Sequence, residues 1–176
     1  MFEKTVTIFG SAVLSSKSPE YQQAKRLGIL LARNGWRVCS GGYGGVMEAV
    51  SRGASEALGR VAAVTLKGGK LKANPWVGRE IRVASWQARL FRLIDEGDAY
   101  VVMDGGTGTM VELFVVWEMM NKFKMDKTML VLGRRKHALL RFLEKHPLVK
   151  TNGRILKIKT PEEAVLPLQQ ALRMPS

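Results

Sequence analysis

Two glycine-rich segments hold the residues of this 176-residue chain whose types and spacing could do chemistry. The first is Ser40-Gly41-Gly42-Tyr43-Gly44-Gly45-Val46-Met47, and the second is Asp104-Gly105-Gly106-Thr107-Gly108-Thr109-Met110-Val111-Glu112. Glycines let a backbone approach a ligand closely, and a helix starting behind them offers unpaired N–H groups and partial positive charge. Phosphate or ribose suits such a loop, although a tight turn with close helix packing accounts for the first segment equally well. In the second, backbone amides and threonine hydroxyls could cradle an anion at the start of a helix. Glu112 has two readings. It is either a carboxylate available for catalysis or, because Thr109-x-x-Glu112 has capping-box spacing, a group that satisfies a helix-terminal amide. The turn Gly10-Ser11-Ala12-Val13 lacks G-x-G-x-x-G, and no Lys-Ser/Thr pair follows either glycine loop. Dinucleotide-dependent redox chemistry and P-loop ATPase chemistry therefore drop out.

The elements that must position these loops alternate along the chain. Strands are expected at Lys4–Gly10, Trp36–Cys39, Arg60–Leu66, Arg79–Ala84, Ala99–Met103, Lys127–Leu132 and Ile155–Lys159. Helices are expected after Ser18-Pro19, where a cap precedes proline at the first helical position, and over Val46–Ala57, Gln87–Ile94, Met110–Phe123 and His137–Lys145. Thr160-Pro161-Glu162-Glu163 reads as a capping box opening a last helix, and 67–78 as a long loop. Ala99–Met103 is short, apolar and β-branched, as a strand covered on both faces should be. Strands alternating with helices predict a single α/β domain over 1–176, with a doubly wound, mostly parallel sheet and helices on both faces.

Hydrophobic residues form 46% of the chain and charged ones 24%, which excludes global disorder. No apolar run is long enough to span a bilayer, and the N-terminus lacks the pattern of a secretory signal, so a cytoplasmic location is expected. One cysteine and two histidines argue against a disulfide framework or a structural zinc site. Cys39 reads as a small buried hydrophobe, and His137 and His146 read as surface residues. Met119, Met120 and Met125 read as packing residues. The net charge is +13, and residues 120–176 hold 13 basic side chains against 4 acidic ones. That surface attracts phosphorylated ligands and polyanions alike. No aromatic interleaving or nucleic-acid motif accompanies it, so nucleic acid is the least supported partner.

The ordered set of segments resembles the LOG family, often labelled lysine decarboxylase-like. SGGYGGVME followed by Arg52-Gly53-Ala54 is similar to that family's first motif, and DGGTGTMVE to its second. Ile8-Phe9-Gly10-Ser11 matches its first strand and turn, and Arg89 stands where the family has an arginine before the second loop. The resemblance covers roughly residues 5–132. It implies a Rossmann-like homodimer that hydrolyses the N-glycosidic bond of nucleoside 5′-monophosphates, giving free base and ribose 5-phosphate without a cofactor or metal. It further implies Arg89 and Glu112 as the catalytic pair. Gly105, Gly106, Thr107, Gly108 and Thr109 would hold phosphate, and Gly10, Ser11, Gly42, Gly45 and Met47 the rest of the substrate. An ordinary surface arginine paired with Asp95 is the alternative for Arg89. In the family's dimers the long helix after the second loop lies near the partner subunit, which would put Phe114, Trp117 and Met120 at an interface. Asp104 replaces the family's proline, Leu90 a frequent lysine, and Ser40 and Glu48 two glycines. Asp104 and Glu48 favour a second function on the same fold, a non-catalytic nucleotide-binding or cofactor-carrying protein.

Overall fold

The computed structural model describes residues 4–151 and 153–172; residues 1–3, 152 and 173–176 of the expected domain lie outside the described residues. Seven strands, β1 (Thr5–Phe9), β2 (Arg37–Ser40), β3 (Val61–Leu66), β4 (Arg79–Val83), β5 (Ala99–Val102), β6 (Met129–Leu132) and β7 (Ile155–Ile158), form one sheet. Their order is β4-β3-β2-β1-β5-β6-β7, and every neighbouring pair is parallel. The helices are α1 (Pro19–Arg33), α2 (Val46–Glu56), α3 (Trp86–Glu96), α4 (Thr107–Lys122), α5 (Arg134–Leu143) and α6 (Val165–Leu172).

Side-chain alternation along the strands separates two cores. Val6 and Ile8 of β1 join Leu27 and Leu31 of α1, Val50 of α2 and Leu168 of α6 on one face. Phe9, Tyr100 and Val102 join Leu93 of α3, Leu113 and Val116 of α4, and Leu140 of α5 on the other. The central strands are covered on both sides, which is why β5 and β6 are apolar at every position. Each such large aliphatic side chain contributes about 1.5–3 kcal/mol by leaving water. No helix among the described residues is long and apolar enough to cross a membrane.

Local signals set several boundaries as expected. Ser18 accepts from the Tyr21 amide at 3.2 Å, with Pro19 opening α1. Most other ends shift by one or two residues, and three helix starts differ more. Helix α4 begins at Thr107, before Met110, because the Gly106 carbonyl already accepts from the Met110 amide at 3.1 Å. Helix α5 begins at Arg134, before His137, because Asp104, distant in sequence, accepts from the Lys136 amide at 3.2 Å. The segment after Thr160 starts as a one-turn 3₁₀ helix, Glu162–Ala164, before α6. There Thr160 Oγ1 accepts from the Glu163 amide, but the Glu163 carboxylate takes the Lys159 amide and leaves the reciprocal half of a capping box unmade.

Cys39 is fully buried, and burial pushes its thiol up to about 12. His146 is exposed, whereas His137 is half-buried with Nε2 at 2.7 Å from the Val131 carbonyl, less exposed than its sequence context suggests. Met120 is buried, and Met119 and Met125 pack partly buried against the same core. Trp117 is also buried, its Nε1 donating to the Lys150 carbonyl at 2.8 Å, so Trp117 and Met120 belong to this chain's own core. Only Phe114 of the expected interface trio is exposed, at 40%.

Candidate functional site

Strand order reverses between β1 and β5, and a parallel sheet leaves a crevice beyond its carboxyl ends at such a point. A cleft of about 360 Å³ opens there. Gly10–Val13 after β1, Tyr43 and Met47 of the first glycine segment, Trp86, Arg89 and Leu90 of α3, and Gly106–Thr109 with Glu112 of α4 line it. The size lies within the range of about 300–1,000 Å³ usual for small-molecule sites. Nine sequence-selected residues thus meet in one place: Gly10, Ser11, Met47, Arg89, Gly106, Thr107, Gly108, Thr109 and Glu112.

The other three, Gly42, Gly45 and Gly105, sit behind the lining. Gly42 (φ +76°) and Gly45 (φ +64°) turn the chain through conformations that suit glycine, and a Cβ on Gly42 would stand 2.6 Å from the Ala63 methyl. Asn74 returns from the 67–78 loop to hold this turn, its amide and side chain donating to the Gly42 carbonyl at 2.7 and 3.0 Å. Gly105 packs against Ser11 and Thr109, where a side chain has no room.

The two loops differ in what their helix starts still offer. The first amide of α2, at Val46, donates to the Ser11 carbonyl at 2.8 Å and is already satisfied. The first turn of α4 has no side-chain cap, and Gly106, Thr107 and Gly108 are exposed at the cleft. The amides there lack intrahelical partners and carry the positive end of a 16-residue helix. The start of α4 thus keeps its amides at the cleft, whereas α2 has given its first amide to Ser11 and the first loop adds Tyr43 and Met47 to the lining. Ser11 joins both, since its amide donates to the Asp104 carbonyl at 3.1 Å.

Arg89 is held by backbone. Nε donates to the Val64 carbonyl at 2.8 Å and Nη2 to the Gly41 carbonyl at 3.0 Å, with the guanidinium 5.1 Å from the Tyr43 ring centroid. Pairing with Asp95 is thereby replaced by one carbonyl just beyond β2 and one within β3, which fix the cation without neutralising it. Glu112 lies in the second turn of α4, beyond reach of its uncapped amides, so the capping-box reading of Thr109-x-x-Glu112 does not apply. The Glu112 carboxylate is half-buried and makes no hydrogen bond or ion pair among the described residues. Burial pushes it up to about 7, while the nearby Arg89 charge pulls the other way. An unpartnered carboxylate close to neutrality faces a fixed cation across a cleft that ends in free amides.

The departures at Asp104 and Glu48 turn away from this cleft. Asp104 caps α5, and Glu48 accepts from the Tyr21 hydroxyl at 3.2 Å. Leu90 contributes apolar wall. Tyr43 and Trp86 are lining residues that the sequence reading passed over. Trp86 stands one helical turn before Arg89, so helical spacing alone places both on one face. Ser85 Oγ accepts from the Ala88 amide at 3.1 Å and starts that helix. Among the described residues there is no group of three or more His, Cys, Asp or Glu that could hold a metal ion.

The model of the SLOG cluster4 family matches residues 3–165. An uncharacterized protein of Archaeoglobus fulgidus is 32% identical over 145 residues, covering 82% of each chain. Among solved structures, the molybdenum cofactor binding protein from Rippkaea orientalis superimposes with a TM-score of 0.81 at 20% identity, covering 98% of this chain and 99% of the other. The molybdenum cofactor carrier protein from Chlamydomonas reinhardtii does so with a TM-score of 0.78 at 21% identity, covering 97% and 98%.

Proposed function

This chain belongs to the SLOG cluster4 family, and from that premise we propose that its cleft binds a phosphorylated nucleotide or nucleotide-like cofactor. The phosphate lies on the first turn of α4, and the ring system reaches toward Tyr43 and Trp86. The observation that carries this reading is the uncapped start of α4, facing the same cleft as a guanidinium that no carboxylate among the described residues pairs with. The names of the two structural neighbours favour binding or carriage as the primary role. Titration calorimetry with AMP and adenosine tests it. Charge-assisted hydrogen bonds to the phosphate should make AMP bind at least about tenfold more tightly. Equal affinities would remove phosphate from α4.

One observation favours a second, catalytic reading, namely the free Glu112 carboxylate with its pKa near neutrality. In a nucleoside 5′-monophosphate, the bond between C1′ and the base nitrogen breaks as positive charge grows on the sugar. Glu112 stabilises that charge and orients a water molecule. The water oxygen bonds to C1′, its proton passes to the departing base, and ribose 5-phosphate remains. Phosphate held at α4 supplies the binding energy that positions the sugar. Arg89 balances charge on the base side.

The partner proposed for the chain is a second copy of itself. Met110, Val111 and Phe114 leave an apolar row on α4, and Trp86 and Phe91 leave two exposed aromatics on α3. Light scattering should give twice the 19.5 kDa chain mass, and Phe114→Asp should shift the protein toward monomer. A monomeric wild type overturns this assignment.

A further inference from the structure

Among the described residues Lys136 is the buried cation, with 2% of its surface exposed, and it lies outside the cleft lining. Desolvating an ammonium is costly unless strong partners receive it. Its Nζ donates to the Gly105 carbonyl at 3.0 Å, and its backbone amide donates to Asp104 Oδ1 at 3.2 Å. The Asp104 carboxylate also lies against Gly133, leaving no room for a Cβ at that turn (φ +138°). The Asp104 carbonyl is taken by the Ser11 amide at 3.1 Å. Both carbonyls that lead into α4 are therefore pinned from outside the helix.

A trans peptide is planar, so its C=O and the next N–H point in opposite directions. Pinning the Gly105 carbonyl onto Lys136 aims the Gly106 N–H away from α5, to the side where Gly106 lines the cleft. We propose that Lys136 is a positioning residue, which together with Asp104 latches the second glycine loop so that its amides face a phosphate. The inference rests on the phosphate reading of α4 given above. It explains why an aspartate is accommodated where the resembled motif has proline. Its charge is spent on the start of α5 and on Lys136, not on the ligand.

The test compares AMP with adenosine on wild type, Lys136→Met, and the double variant Asp104→Asn with Lys136→Met. The double variant removes the half-buried Asp104 charge together with that of Lys136 packed near it, so a folded protein remains to be tested if the single variant proves unstable. Both should lower the wild-type preference for AMP by about tenfold, the worth of one well-placed hydrogen bond to a charged group, with adenosine affinity unchanged. A residue that merely supported the fold would weaken both ligands alike. A retained AMP preference in a folded variant overturns the latch, as does parallel loss of both ligands in the two variants. A wild type with no preference overturns the phosphate reading itself and the latch with it, so the two failures are read on different proteins.

Discussion

Glu112→Gln will lower base release from a nucleoside 5′-monophosphate by about a hundredfold or more, while nucleotide affinity stays within about threefold of wild type. The amide has the shape of the carboxylate but neither its charge nor its basicity. Wild-type turnover should rise through pH of about 7 as Glu112 ionises, and that limb should vanish in the variant. Chromatography of AMP, CMP and GMP incubations checks both. If wild type releases no base from any of them, the catalytic reading falls and the binding reading remains.

A stability effect accompanies this and is independent of turnover. The folded-state pKa of Glu112 is raised from 4.5 to about 7, so the fold favours its protonated form. The associated stability is fully present below pH 4.5, declines as pH rises, and is lost above about pH 7. Glutamine cannot ionise. Thermal melts should therefore give Glu112→Gln a higher Tm than wild type at pH 8, and a flatter dependence between pH 5 and pH 8. A lower Tm at pH 8 would mean that the carboxylate has a stabilising partner. A carboxylate kept at such cost fits a group retained for ligand chemistry.

Gly41→Ala should separate the site from the fold. A methyl at Gly41 would overlap Arg89 Nη2 and stand 2.6 Å from Met47 Sδ. Both are the far ends of flexible side chains, and Gly41 is outside the left-handed region, so the backbone tolerates alanine. The expected loss of stability is about 1–3 kcal/mol, from the guanidinium hydrogen bonds given up, and leaves the protein folded. The guanidinium, however, must leave the Gly41 and Val64 carbonyls and move out of the cleft. Affinity for a nucleoside monophosphate should fall about tenfold or more, comparable to the loss of a fixed charge-assisted contact. In an Arg89→Ala background the same glycine change should cost little further, because the group it displaces is already gone. Additive losses in that cycle would mean that Gly41 acts on the ligand without Arg89.

Nothing in the sequence near Arg89 announces where its head goes. The resemblance selected the residue, but its partners are carbonyls just beyond β2 and within β3, and they meet only because the order β4-β3-β2-β1-β5 lays those strands side by side under α3. Asp104 stands in the sequence where the resembled motif has proline, at the head of the second glycine loop. Its partner is the start of a helix that follows a whole strand later, so short-range spacing could not reveal it. Lys136 is one of 28 basic residues, and its burial distinguishes it only after α5 has packed against the second loop.

What the chain determined by itself is what depends on near neighbours. Strand and helix alternation, the Ser18-Pro19 start of α1 and the two glycine segments follow from the pattern of apolar residues and from backbone preferences over a few positions. Tertiary structure decided which helix start stayed uncapped. Val46 loses its free amide to Ser11 and α4 keeps its own, a difference made by one hydrogen bond between segments 35 residues apart. Local preferences are energies of adjacent residues and can be read along a line. A site joins groups across space, and the partner that satisfies or spares each polar atom is set by the packing of the whole sheet.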